Sequence, residues 1–379
     1  MKKQISALLF CGAMLLPGLS IAQETTKVDS EEQKTESIVN KVLARLPKVS
    51  GYVQAGYNWQ DANMGSEAST FQIKRMRLFL SGKISSVFDY KAQFECFSSS
   101  KDSKNKSLIT VMDIFVDAHV NQALNFRMGQ FYLPIGFENY DISPATLETI
   151  DFSNICYRIV CRNPITNKSY IDYGRDLGVM AYGDLFRNDK KGFNYLSYNL
   201  SFTNGSLPNL GDANKSKDFV GRLTFRPIKD LRIMGSYNYG KYNGVDVEAA
   251  EKPTVDNIEM NRFAIGAWYN SPKGLILRAE YGHLQSNRGG FKEDGFYALA
   301  AYKIGKFLPV VRFDMYRDQI DKANVQNTNK YLVGLTYQAH KQVKFQANYI
   351  HTTYPGTVID AGNRKGSGNQ IQIMCLASF

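Results

Sequence analysis

The sequence predicts an all-β fold: a sixteen-stranded antiparallel transmembrane β-barrel with a long third external loop. Three observations carry the expectation. From Ser50 onward the chain divides into runs of about 9 to 13 residues whose alternate positions are apolar. That is the length of a tilted strand crossing a bilayer and the pattern of a wall between two solvents. The connections between the runs are short and long in turn, and the first residues have the make-up of a secretory leader. Composition agrees, with 23 Tyr and 23 Phe against two Trp, and beyond the leader no apolar run is long enough for a helical span.

Residues 1–22 carry Lys2 and Lys3, an apolar stretch to Leu19, and the small residues Ser20 and Ala22 before Gln23, the pattern of a signal peptide cleaved near Ala22. Cys11 follows the bulky Phe10, too early in the apolar stretch for a lipidation site. Residues 23–49 read as a periplasmic segment in which Ile38, Val39, Val42, Leu43 and Leu46 keep helical spacing ahead of Pro47. A short oligomerisation helix and a solvated lead-in both satisfy that pattern. The barrel takes residues 50–379, with strands expected at 50–59, 71–84, 88–97, 108–120, 124–132, 173–186, 193–203, 217–226, 231–240, 258–270, 274–284, 294–304, 308–317, 329–339, 343–352 and 369–379.

The turns SSVFD, NQA, RNDKKG, PIKD, NSPKG and HKQ follow every second strand, while SSSKDSKNKS, TNGSLPNLGDANK, KYNGVDVEAAEKPTVDN, RDQIDKANVQNTN and TTYPGTVIDAGNRKGSG belong to the long class. A bacterial outer-membrane barrel distributes its connections in this way, short in the periplasm and long outside. Lipid offers no partner to a free strand edge, so the sheet must close. The stretch from Phe131 to Tyr173 has no helical period and is too long for an ordinary connection, which points to a lid or pore constriction. The last run, QIQIMCLASF, puts Ile371, Ile373, Cys375, Ala377 and Phe379 on one face. Ending on Phe379, it resembles the closing-strand signal read by the outer-membrane assembly machinery.

The segments FQIKRMRLFLSGKI (Phe71 to Ile84), FDYKAQFE (Phe88 to Glu95), LNFRMGQFYLPIGFEN (Leu124 to Asn139) and YGRDLGV (Tyr173 to Val179) together resemble the phosphate-selective porin O and P family. The most specific parts are the Arg-rich second strand and the R-x-G-Q-F-x-x-P-x-G-x-E run from Arg127 to Glu138. The resemblance implies a trimeric, sixteen-stranded, anion-passing porin. The third loop departs from a densely basic one, because Glu138, Asp141, Glu148 and Asp151 precede its basic residues.

The formal charge of +11 admits nucleic-acid binding, membrane-surface binding or a passage for anions. The last fits an exported β-barrel, and no nucleic-acid motif occurs. With the apolar parity toward lipid, Arg75, Arg77, Lys91, Arg127, Arg222, Arg226, Arg232, Arg262, Arg278 and Arg312 point into a water-filled lumen. The same parity sends Asp89, Glu95, Asp113, Asp117, Asp176, Asp184, Glu280 and Asp314 inward. Expected pairs are Arg278 with Glu280, Arg312 with Asp314 and Asp113 with Arg127, which leaves Arg77 and Arg222 least neutralised. A guanidinium fork suits an anion path, and a solvated wall charge explains any one of them equally well. Arg158, Arg162 and Lys168 of the third loop, with Arg175 at its exit, either reach a constriction or lie at the mouth as surface charges.

Cys156 and Cys161 in CYRIVC are expected to close a small disulfide ring in an oxidising compartment, while Cys96 and Cys375 fall on lipid faces. Tyr57, Trp59, Tyr237, Tyr239, Trp268, Tyr269 and Tyr281 read as interface girdles. The His residues at 119, 283, 340 and 351 are scattered, and H-E-x-x-H, G-x-S-x-G and phosphate-cradling loops are all missing, so no enzyme, metal or cofactor is expected. The expected function is diffusion of small hydrophilic solutes with a preference for anions such as phosphate. A weakly selective porin for sugars or carboxylates and a non-conducting adhesin or scaffold are the alternatives. Expected partners are those solutes, the lipid bilayer and lipopolysaccharide, the other copies of a homotrimer, and the assembly machinery.

Overall fold

In the computed structural model, which describes residues 46–97, 109–163, 165, 174–205, 208–209, 215–245, 250–252, 254–288, 292–318, 327–356 and 366–379, sixteen strands pair in chain order into one closed antiparallel barrel. They are β1 (Lys48–Gln60), β2 (Ala68–Lys83), β3 (Phe88–Glu95), β4 (Thr110–Asn121), β5 (Leu124–Tyr132), β6 (Arg175–Asn188), β7 (Phe193–Thr203), β8 (Asp218–Ile228), β9 (Leu231–Val245), β10 (Thr254–Asn270), β11 (Leu275–Ser286), β12 (Lys292–Tyr302), β13 (Phe307–Asp318), β14 (Thr328–His340), β15 (Val343–Thr353) and β16 (Ser367–Ser378). The expected count and order are those found. The leader and nearly all of residues 23–49 lie outside the described residues.

Closure runs along β1 and β16, from Tyr52 opposite Ser378 to Gln60 opposite Gln370. Gly51 and Phe379 then exchange two backbone hydrogen bonds of 3.0 Å. The terminal ring lies so close to Gly51 that a Cβ there would sit 2.6 Å from it. Side chains alternate across the wall as the pleat requires. Outward positions are aliphatic at mid-height, with Tyr57, Phe71, Tyr237, Tyr281, Tyr331 and Tyr349 toward the long loops, and Tyr302, Phe307, Tyr337 and Phe345 toward the short turns. These are the two aromatic belts of a barrel in lipid. Trp268 is a correction to the expected girdle. Neighbours on a strand face opposite sides, so with Tyr269 outward Trp268 turns into the lumen, where it is 8% exposed.

The interior is not wet throughout. Leu133, Ile135, Phe137, Ile142, Leu147, Phe152 and Ile155 of the third loop form one apolar cluster with Val220, Met234, Trp268, Leu299, Val310, Leu332 and Ile350 of the wall. A loop that buries this much apolar surface against inward-facing residues is packed inside the barrel rather than laid over its mouth.

Candidate functional site

The third connection, Leu133 to Gly174, leaves the sheet at Pro134, which has no N–H to give a ladder. It turns at Gly136, where φ is +68° and a side chain would collide with the Glu280 carboxylate. One helical turn, α1 (Phe137–Tyr140), follows and sets Phe137 edge-on to Trp268, with ring centres 5.7 Å apart. The Phe137 N–H donates to Glu280 Oε2 at 3.0 Å, so a wall carboxylate meets a donor that the turn leaves unpaired.

From there the loop crosses the bore, and wall side chains hold it at successive points. Arg222 donates to the Gly136 carbonyl at 3.2 Å and pairs with Asp141. Lys344 and Gln346 each donate to the Leu147 carbonyl at 3.2 Å. Arg278 takes both oxygens of Glu148, at 3.1 and 2.8 Å. Arg312 donates to Thr149 Oγ1 at 3.1 Å and to the Asp151 carbonyl at 2.8 Å. Arg75 reaches the Ile150 carbonyl at 3.4 Å and the Tyr157 hydroxyl at 3.2 Å. The Asp151 carboxylate receives Lys74 and Gln372, each at 2.7 Å. The Asn154 N–H donates to Asp314 at 3.0 Å, Arg262 reaches the Ile159 and Val160 carbonyls, and Arg162 pairs with Glu293. Most of these groups are buried, where a charge-assisted bond is strong and its loss is expensive.

Burial alone would raise the Asp151 carboxyl, but Lys74 and then Arg75 outweigh it and hold the group well below the usual carboxylate range. Glu138, buried beside Arg312 and Arg278, moves the other way because desolvation wins.

The inward basic residues are therefore mostly engaged. Arg75, Arg222, Arg262, Arg278 and Arg312 hold the loop, while Arg77 pairs with Glu95 at 2.8 Å and Arg175 with Asp113 at 2.6 Å. Arg77 and Arg222, expected to be least neutralised, each have a carboxylate partner. Arg127 takes both oxygens of Asp117, at 2.7 and 2.8 Å, rather than Asp113, because Asp117 stands opposite it in the β4–β5 register. Arg312 does lie 3.7 Å from Asp314, but Arg278 passes over Glu280 for Glu148. Lys91 stays 39% exposed, 3.9 Å from Asp113. Arg158 is half-buried over the Tyr316 ring, and Lys168 lies outside the described residues.

The ring expected between Cys156 and Cys161 is not closed, and the two side chains remain thiols in side-chain contact with each other. They stand at the ends of a π-helical turn (Ile155–Val160), where the Cys161 N–H donates to the Cys156 carbonyl at 3.0 Å. Burial pushes the Cys156 thiol well up, which suppresses the thiolate that disulfide exchange needs. Asp89, Asp117 and His119 gather near the short turns, but Arg127 occupies Asp117 and His119 lies 2.8 Å from Asp89, so the group is satisfied internally.

Sequence parity turns Arg226 and Arg232 inward without singling them out, yet these two stand apart. Neither has a hydrogen bond or ion pair among the described residues. Arg226 Nε is buried without an acceptor, and the Arg232 guanidinium lies 4.0 Å from the centre of the Trp268 ring. A signal was readable: on the inward parity Arg222, Thr224 and Arg226 precede the PIKD turn and Arg232, Met234 and Ser236 follow it, with no acid among them.

The profile of the family described as phosphate-selective porin O and P matches residues 48–376. No curated protein matches the sequence. Among solved structures, Salmonella typhi OmpF in complex with daunomycin is similar at a TM-score of 0.66 and 12% identity, over 89% of this chain and 98% of that one. The anion-selective porin from Comamonas acidovorans is similar at 0.62 and 13%, over 88% and 99%. The outer membrane channel DcaP of Acinetobacter baumannii is similar at 0.60 and 12%, over 88% and 97%. At such identities the likeness is one of fold.

Proposed function

Because this chain belongs to the phosphate-selective porin O and P family and is an outer-membrane channel protein, we propose that it lets small hydrophilic solutes diffuse across the outer membrane with a preference for anions, phosphate among them. The charge left over inside the barrel carries the reading. Glu95, Asp113, Asp117, Asp141, Glu148 and Asp151 are each spent on a base. Arg226 and Arg232, by contrast, pair with no carboxylate among the described residues, and Lys91 is only loosely met. Asp176, Asp184, Asp218 and Glu280, which no base meets among the described residues, lie elsewhere and accept from N–H or O–H donors; a stretch of lumen whose uncommitted charge is positive raises the local anion concentration and repels cations.

The loop clamped across the bore sets the size limit, and neither an energy source nor a chemical step enters. The likeness to an anion-selective porin agrees with this reading. Export by residues 1–22 and assembly as a homotrimer belong to it as well. Recording the purified protein in a planar bilayer under a salt gradient is the test. Open steps with a reversal potential of the sign set by chloride are expected. A potential of the opposite sign refutes the anion preference, and a silent barrel favours the adhesin or scaffold.

A further inference from the structure

We propose that Arg226 and Arg232 form a binding station for a solute carrying two negative charges, on the short-turn, periplasmic side of the clamped loop. The proposal rests on the reading that anions pass through the lumen and names the kind of anion that stops there.

The two arginines occupy the arms of one hairpin. Arg232 stands opposite Trp268 in the β9–β10 register. Arg226 lies within the register shift between Phe225 and Ile228, where β8 meets β9. An irregularity of this sort re-aims a side chain, and here it leaves Arg226 within electrostatic reach of Arg232. Like charges brought together on neighbouring strands destabilise a sheet. Arg232 also lies within electrostatic reach of Arg222 and Arg278. The acid beside it, Asp141, is already bonded to Arg222. Elsewhere in the lumen this chain answers an arginine with a carboxylate or a loop carbonyl, and at this hairpin the described residues offer neither.

The donors are also prepared for a ligand. The Arg232 guanidinium lies over the Trp268 ring, and no acceptor among the described residues meets its N–H groups, while Phe137 wedges the indole from the side. Arg226 Nε and Trp268 Nε1 are buried donors without acceptors among the described residues, and such orphans are rare unless something arrives to meet them. Both arginines are half-buried, so water and small solutes reach them. A single negative charge would answer one of the two cations, whereas an oxyanion with two charges answers both. Hydrogen phosphate and a small dicarboxylate share that chemistry.

The protein supplies its own reporter. Its tryptophans are Trp59 and Trp268, and Trp59 is on the lipid-facing parity of β1. The W59F variant, purified in detergent as a folded barrel, therefore reports on Trp268 alone. At fixed ionic strength and mildly alkaline pH, succinate, phosphate or both are expected to change Trp268 emission saturably, while chloride does not. The active dianion identifies the source. R226Q or R232Q in the W59F background is expected to raise the half-saturating concentration about tenfold, the loss of one charge-assisted bond. If a glutamine variant fails to fold, the R226K/R232K pair replaces it and is expected to weaken binding through loss of the planar fork. No response to either dianion, or a response unchanged in the variants, overturns the proposal. The titration needs no current: a barrel that binds but does not conduct refutes only the diffusion reading, and one that conducts anions without binding refutes only the station.

Discussion

Replacing Arg278 by Met preserves most of the side chain's length and removes its charge. In the native barrel this guanidinium has no exposed surface; it holds both oxygens of Glu148, stands 3.6 Å from Glu138 and donates to the Tyr297 hydroxyl at 3.0 Å. The substitution leaves Glu148 in a dry environment with no direct ion pair, Lys344 being the base within electrostatic reach, and leaves Glu138 with Arg312, 3.9 Å away, as its remaining base. Removing one member of a buried ion pair costs about 3 to 5 kcal/mol. The sheet keeps every backbone bond of its ladder, so the cost falls on the loop. Roughly 3 kcal/mol shifts the ratio of clamped to released loop by about a hundredfold.

Arg278→Met is therefore expected to raise single-channel conductance, with flicker between levels, and to admit sugars into liposomes that the native channel excludes by size. Trypsin is expected to cut the variant near Arg158 and Arg162 under conditions where the native loop resists. Heat-shifted mobility on gels, which reports the closed barrel, is expected to stay native. Should the folded variant keep native conductance, size limit and trypsin resistance, the loop is not held by its buried ion pairs and the reasoning is wrong.

Two further predictions concern the same loop. A carboxyl held below its ordinary range, such as Asp151, adds stability that is fully present above the unfolded carboxylate pKa and disappears as pH falls through the lower folded value. Asp151→Asn is thus expected to lower the melting midpoint equally at pH 7 and pH 5, by about 2 °C for each kcal/mol lost; a deficit at pH 7 that vanishes at pH 5 contradicts the assignment. Cys156 and Cys161 are expected to resist iodoacetamide in the folded barrel and to react after denaturation without reductant. Mass spectrometry checks this, and a denatured chain lighter by two hydrogens that takes up no label at either position would mean the ring is closed.

The wall was legible because two simple rules govern it: residues alternate between lipid and lumen, and a barrel in lipid cannot leave an edge unpaired. Those rules yield the strand count, the order and the inward set that contains Arg75, Arg222, Arg278 and Arg312. They fail where a contact depends on what occupies the lumen, since parity assigns a direction and not a partner. The Cys156–Cys161 pair shows that failure, because spacing brings the two together while the buried helical turn that leaves the ring open depends on packing against the wall. Trp268 is a different case: its type suits the lipid boundary, but the parity it shares with Arg262 on the same strand already turns it inward.

The acids of the third loop carry the same lesson further. Read alone, Glu138, Asp141, Glu148 and Asp151 look like a departure from a basic constriction. Set against Arg312, Arg222, Arg278 and Lys74, they are its complement: a densely basic loop has no way to dock on a basic wall, whereas an acidic one is drawn in and neutralised there. The number of inward arginines is therefore a poor guide to anion preference in this barrel. What a passing ion meets is the remainder after that docking, and two of the cations in that remainder are Arg226 and Arg232.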